Sequence, residues 1–252
     1  MKRFSFVVFL LFFYAHVLAS PDSLLIDVRG ASGTPSFQSP TGIWWPSVGK
    51  NAKAKRKPVN NEYASKSPVV VWFHGGMSSS NCAKGLVAGG SFADFYEKKI
   101  VVSVSACREN HWVTKGMMDA VDAALDSVAA LRKSPVDKVS LVGISDGSLG
   151  VLVYSLEGRR AVDDRLLMSS FGGFLGEPQA IASQMKMHSG RWRFLQGGKD
   201  RLYPSGKTVP WITEFCKTVQ VDCELRFDPE GEHDWSYWWN KHMDWIHEAV
   251  RK

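Results

Sequence analysis

Ser145 lies in the pentapeptide Gly143-Ile144-Ser145-Asp146-Gly147, directly after the run Lys138-Val139-Ser140-Leu141-Val142. A strand that feeds straight into G-x-S-x-G, with an apolar helical pattern behind it, is the setting of a nucleophile elbow. The turn is too tight for side chains at its flanks, and it lifts the serine hydroxyl to the top of the sheet. The bare pattern is weak evidence, and the strand and helix around it give it meaning. A serine is a poor nucleophile alone and needs a base within hydrogen-bond reach and an acid behind that base. With this elbow the chain order is serine, carboxylate, histidine. Past Ser145 the histidines are His188, His233, His242 and His247. His188 precedes the best acid, and His242 and His247 fall in an amphipathic closing helix. His233 instead follows the last strand, in the loop Asp228-Pro229-Glu230-Gly231-Glu232-His233-Asp234-Trp235. Strand carboxyl ends are where sites form in open α/β sheets, so His233 is the expected general base.

The acid should come from the loop after the preceding strand. Asp200 is the first carboxylate there, in Gly197-Gly198-Lys199-Asp200. It would hold the imidazole in the right tautomer and stabilise its charged form. Asp228 and Glu230 compete, being near His233 in sequence, and a turn-capping Asp200 is the plainer alternative. Acyl transfer also needs donors for the oxyanion of the tetrahedral intermediate. The first core strand runs into His74-Gly75-Gly76-Met77-Ser78. A backbone N–H from Gly76 or Met77, together with that of Asp146, would supply them. His74 is expected to buttress this loop through hydrogen bonds, because it lies on the wrong strand for a base. Of the tryptophans, most of which should be core packing, Trp112 and Trp235 are the candidates for a substrate subsite beside the serine.

Positioning these groups requires alternating strands and helices. Residues 68–73 and 100–105 are continuous apolar runs, as in strands buried on both faces. Met118, Val121, Leu125, Val128 and Leu131 recur at helical spacing, with Asp119 and Asp122 early and Arg132 late, as the helix dipole prefers. Further strands are expected at 138–142, 165–168, 192–196 and 223–227, with helices at 148–156 and 209–218. Two earlier strands are placed at 24–28 and 42–45. Trp239, His242, Met243, Ile246 and Val250 should form one face of a closing helix. This alternation argues a mainly parallel sheet covered on both sides. About two dozen residues separate the fourth and fifth of these core strands, too few for a separate lid domain.

The chain has 252 residues and a net charge of +6. It starts Met1-Lys2-Arg3, turns apolar from Phe4 to Phe13 and closes with Val17-Leu18-Ala19, as a secretory signal peptide does. Cleavage is expected near Ala19, and loss of Lys2 and Arg3 would lower the charge from +6 to +4. The expected organisation is a leader at 1–19, N-terminal strands and loops at 20–66 and a catalytic core at 67–252. The remaining basic cluster, Lys53, Lys55, Arg56 and Lys57, reads first as a solvated loop and second as a weak contact for an anionic surface. No aromatic residues interleave with it, so nucleic-acid binding is not supported. The cysteines Cys82, Cys107, Cys216 and Cys223 form an even set in a chain with an export leader, which favours disulfides. There is no C-x-x-C and no histidine at ligand spacing, so a metal site is not expected. Three pairings are open.

Taken together, His74-Gly75-Gly76, Gly143-Ile144-Ser145-Asp146-Gly147, Gly198-Lys199-Asp200 and Gly231-Glu232-His233-Asp234-Trp235 resemble the motifs of α/β-hydrolase serine esterases. The resemblance spans roughly residues 68–250. The stretch from His233 to Trp238 is similar to the histidine segment of esterase-D-like and feruloyl-esterase-like enzymes. The stretch from Cys107 to Trp112 is similar to polyhydroxybutyrate-depolymerase-like esterases. The resemblance implies the α/β-hydrolase fold, little or no lid, and a cofactor-free enzyme acting on small or polymeric carboxylic esters through an acyl-enzyme. With that fold, the pairing implied is Cys82 with Cys107 and Cys216 with Cys223. One departure is Asp146, where these relatives often carry a neutral residue, and its carboxylate could discourage anionic acyl groups. The same fold hosts thioesterases, peptidases and acyltransferases, and a secreted binding domain that lost its chemistry is a further alternative.

Overall fold

The computed structural model describes residues 22–29, 36–46, 65–76, 79–96, 98–185 and 189–251. The expected leader, the basic cluster Lys53, Lys55, Arg56 and Lys57, His188 and Met77 lie outside these residues. Eight strands form one sheet: β1 (Asp22–Val28), β2 (Phe37–Trp44), β3 (Val69–Phe73), β4 (Ile100–Val104), β5 (Lys138–Ile144), β6 (Ala161–Met168), β7 (Arg191–Gly197) and β8 (Cys223–Asp228). Their order is β1-β2-β4-β3-β5-β6-β7-β8. The pairs β1–β2 and β2–β4 are antiparallel and every later pair is parallel. The eight-stranded, mostly parallel sheet with helices on both faces is the α/β-hydrolase fold.

Burial explains the composition of the strands. All five residues of β3 and of β4 are buried, which is why they read as unbroken apolar runs. One face of the sheet carries Val69, Val71, Phe73, Val102 and Leu141 under α2 (Lys115–Arg132) and α3 (Asp146–Glu157). The other carries Val70, Trp72, Val101, Val142 and Leu166 under α1 (Lys84–Phe95) and α6 (Trp235–Ala249). β1 sits at the edge, where alternation replaces continuity: Ile26 and Val28 are buried while Leu25 and Asp27 face outward.

Two helices lie where the sequence reading placed none. Helix α1 contains Gly85, Gly89 and Gly90, and glycine costs a helix roughly 1 kcal/mol per residue relative to alanine. Tertiary bonds hold it on β4 instead: the Ser103 hydroxyl donates to the Gly85 carbonyl at 2.9 Å, and the Gly85 N–H donates to Ser105 Oγ at 3.2 Å. Between β6 and β7 come a 3-10 turn at Gly172–Phe174 and the short α4 (Pro178–Met185), which packs against α5 (Ser205–Val219).

The buried face of α6 also differs from the expected one. Trp238, Trp245, Ile246 and Ala249 are buried, whereas Met243 is 45% exposed. The helix kinks at His242, whose φ of −126° is non-helical and whose Nε2 lies 2.8 Å from Asp228 Oδ2. Trp239 still packs, partly buried, on the same core as Ile246 and Val250, so Met243 is the expected face residue that turns outward.

Candidate active site

Ser145 sits between β5 and α3 with φ 55° and ψ −127°. A non-glycine residue at positive φ is strained and persists only where its surroundings hold it. The Ser145 N–H donates to the Met168 carbonyl at 2.9 Å, and the Ser148 N–H donates to the Ser145 carbonyl at 2.9 Å. The Ser148 hydroxyl lies 3.1 Å from the carbonyls of both Gly143 and Met168. The flanking glycines are a matter of volume. A Cβ on Gly143 would lie 2.3 Å from the Gly147 carbonyl oxygen, and one on Gly147 would lie 2.0 Å from the Phe73 carbonyl oxygen.

Asp200 follows β7 and His233 follows β8, and their side chains meet: His233 Nδ1 lies 2.8 Å from Asp200 Oδ2. With Nδ1–H donated to the carboxylate, Nε2 carries the ring's lone pair. The Asp200 side chain is buried, and its Oδ1 accepts the N–H groups of Leu202 at 3.0 Å and Tyr203 at 2.8 Å. Burial alone would raise its pKa. The hydrogen bond from His233 and those from the Tyr203 and Leu202 backbones outweigh burial and hold the carboxyl below its usual range. The competing acids are engaged elsewhere. Asp228 Oδ2 takes His242 at 2.8 Å and the Tyr237 hydroxyl at 2.9 Å, and Glu230 pairs with Lys199.

Ser145 and His233 line one cleft of about 570 Å³, together with Trp72, His74, Gly75, Gly76, Lys84, Ile144, Asp146, Leu202, Tyr203 and Trp235. Trp235 forms an aromatic wall with Trp72, their ring centroids 5.0 Å apart. Gly76 reaches the cleft with φ 77°, a conformation that suits glycine, and a Cβ there would lie 2.0 Å from Lys84 Nζ. The Asp146 N–H is at the first helical position of α3, where backbone donors have no intrahelical acceptor.

Trp112 is a correction. It is fully buried and does not line the cleft: its Nε1–H donates to the His74 carbonyl at 2.9 Å, and its ring meets Phe73 edge-on at 5.0 Å. The loop after β4 folds under the sheet end, which turns Trp112 into the floor beneath His74. His74 itself donates from Nδ1 to the Gly75 carbonyl at 2.9 Å and accepts the Ala106 N–H on Nε2 at 3.0 Å. Burial lowers its pKa to about 4, the Lys84 charge adding to the effect and the Gly75 bond opposing it. His74 is therefore a neutral brace across the ends of β3 and β4.

The disulfides are Cys82–Cys107 and Cys216–Cys223. The first ties the segment before α1 to the end of β4, where the Arg108 N–H also donates to the Ser79 carbonyl at 2.9 Å. The second closes the link from α5 to β8. Among the described residues no cluster of three or more His, Cys, Asp or Glu side chains is placed to hold a metal ion. Lys84 and Tyr203 were not legible as site residues in the sequence. Lys84 opens the glycine-rich helix, and nothing in the run Asp200-Arg201-Leu202-Tyr203 marks the tyrosine as turning into the cleft.

No family model and no curated protein sequence matches this chain. Its fold is similar to that of a thermostable esterase, with a TM-score of 0.62, 12% identity, and coverage of 93% of this chain and 64% of that one. It is similar to the acylaminoacyl peptidase of Pyrococcus horikoshii, with a TM-score of 0.61, 11% identity, and coverage of 94% and 43%. It is also similar to Thermogutta terrifontis esterase 2 phosphoramylated by tabun, with a TM-score of 0.60, 15% identity, and coverage of 91% and 94%. The chain thus spans less than two thirds of the first two structures and nearly all of the third.

Two outcomes follow from this geometry. Gly147→Ala should lower the unfolding free energy by about 1–3 kcal/mol or more, because the new Cβ meets backbone rather than a mobile side chain; the midpoint of urea unfolding measures it. For His74, the folded-state pKa of about 4 lies below the ordinary 6.5, so the unfolded chain binds the proton first. Its stabilisation is complete above pH 6.5 and declines as pH falls toward 4, by about 3 kcal/mol at most. Urea unfolding at pH 7 and pH 4 should show that extra loss in the wild type and not in His74→Gln.

Proposed function

We propose that this chain is an exported serine hydrolase that cleaves carboxylic esters through an acyl-enzyme on Ser145. One observation carries the reading: His233, bound to Asp200 at 2.8 Å, shares a cleft with a serine held at a strained strand-to-helix turn. His233 Nε2 takes the hydroxyl proton as Ser145 Oγ attacks the ester carbonyl. The oxyanion that forms is met by backbone N–H groups at Gly76 or Met77 and at Asp146, and the positive end of α3 favours the same charge. The imidazolium, steadied by Asp200, then gives its proton to the departing alcohol. Water repeats the sequence on the acyl-enzyme, with His233 again as base, and frees the acid and Ser145.

The fold's neighbours include esterases and peptidases, which supports a hydrolase. The ester reading is favoured because the match to the Thermogutta esterase covers 94% of that chain, while most of the peptidase lies outside its match. The aromatic wall of Trp72 and Trp235 suits an apolar or aryl group on a small or polymeric ester. Two disulfides favour an oxidising compartment, which agrees with the leader-like start of the sequence. No helix among the described residues is long and apolar enough to cross a membrane.

The test is a panel of p-nitrophenyl esters of graded acyl length, with aryl esters, thioesters and peptides alongside. Esters should turn over fastest, and Ser145→Ala should lose roughly 10³-fold or more in kcat. Activity of that variant within tenfold of wild type, or faster cleavage of peptides, would overturn the reading. Asp200→Asn should cut kcat by about 10²–10⁴-fold with little change in KM. Asp228→Asn, whose carboxylate serves His242, should stay within about threefold of wild type; the reverse ranking would put the acid on the later loop.

A further inference from the structure

Tyr203 touches all three segments that carry the reacting groups. Its backbone N–H donates to Asp200 Oδ1 at 2.8 Å. Its ring meets the His233 ring edge-on, with centroids 5.1 Å apart. Its hydroxyl donates to Asp146 Oδ1 at 2.8 Å, on the residue directly after the nucleophile. Burial, the bond to Asp146 and the Asp146 charge all push the phenol's pKa up, so it remains a neutral donor.

The position of Asp146 makes this arrangement consequential. A carboxylate next to the nucleophile is a second acceptor for an imidazole proton, in competition with Asp200. Turned toward His233, it would stabilise the imidazolium before reaction and draw the ring out of line. Asp200 and Tyr203 contact the His233 ring, Asp146, His74 and Lys84 line the same cleft, and Glu232 and Asp234 flank it in its own loop. Of these, Asp146 is the anion whose Oδ1 accepts the Tyr203 hydroxyl.

On the reading of Ser145, Asp200 and His233 as the reacting groups, we infer that Tyr203 is a positioning residue that holds the Asp146 carboxylate to the elbow and away from His233, so that one carboxylate alone governs the base. The elbow can therefore carry an acidic residue without loss of a working base. The phenol need not touch substrate for this, and its removal should appear in kcat and in the pH profile rather than in KM.

The experiment is steady-state hydrolysis of a neutral p-nitrophenyl ester across pH by wild type, Ser145→Ala, Tyr203→Phe, Asp146→Asn and the Tyr203→Phe/Asp146→Asn double variant, with thermal melting of each. Tyr203→Phe keeps the ring against His233 and the N–H on Asp200, and loses only the hydroxyl. Its kcat should fall about tenfold with KM within twofold, and the acidic limb of its kcat/KM profile should move to higher pH. Adding Asp146→Asn should return that limb to the wild-type position. Asp146→Asn alone, which needs no intact phenol to be informative, should show a limb at or below that of wild type. An unmoved limb in Tyr203→Phe, a shift that persists in the double variant, or an upward shift in Asp146→Asn alone would each overturn the inference. Turnover by wild type with none by Ser145→Ala upholds the hydrolase reading independently of these outcomes, whereas an inactive wild type overturns that reading and this inference together.

Discussion

A strand that becomes a helix within one residue leaves no volume for side chains beside the turn. That constraint organises this molecule. The carbonyl of Phe73 on β3 would stand 2.0 Å from a Cβ on Gly147, and the Gly147 carbonyl would stand 2.3 Å from one on Gly143. Close approach of α3 to β3 and β5 is what forces Ser145 to φ 55°. The strained turn is held by the Ser145 N–H and the Ser148 hydroxyl on the Met168 carbonyl of β6, so the central strands of the sheet have to be in register before the Ser145 hydroxyl can stand where it does. The elbow is thus a property of the packed sheet rather than of five residues.

The other groups reach the same point because parallel strands end together. β5, β7 and β8 deliver Ser145, Asp200 and His233 from their carboxyl ends. β3 delivers Gly75 and Gly76, with His74 as a buried, neutral strut between the ends of β3 and β4. Two carboxylates then serve one cleft, and they differ in what satisfies them. Asp200 is buried and bonded to the ring and to two backbone N–H groups. Asp146 is part-exposed at the head of a helix and bonded to a phenol. Different environments give chemically identical side chains different roles.

What was legible in the sequence follows from local physics. Apolar runs such as 69–73 and 100–104 declare strands because both faces are buried, and once the strands were placed, the loops after them named Ser145, Asp200 and His233. Local patterns failed where tertiary contacts decide. Helix α1 has glycines that disfavour it in isolation and is held by Ser103 and Ser105. Helix α6 kinks at His242, which bonds Asp228, and Met243 beside it faces outward, which no period could reveal. Trp112 had the right neighbourhood in sequence, yet its N–H is needed by the His74 carbonyl beneath the cleft. Tyr203 sits three residues past Asp200 with no motif around it, and only the curl of that loop back onto Asp200 Oδ1 aims its ring across the cleft.

The central claim is that Ser145, and no other hydroxyl at this cleft, is the nucleophile that His233 activates. Labelling the purified domain with a fluorophosphonate and mapping the adduct by peptide mass spectrometry tests it most directly. A single stoichiometric adduct on Ser145, abolished in Asp200→Asn or strongly slowed there, is the predicted result. No adduct, or one carried by Tyr203 while Ser145 stays unmodified, would contradict the account.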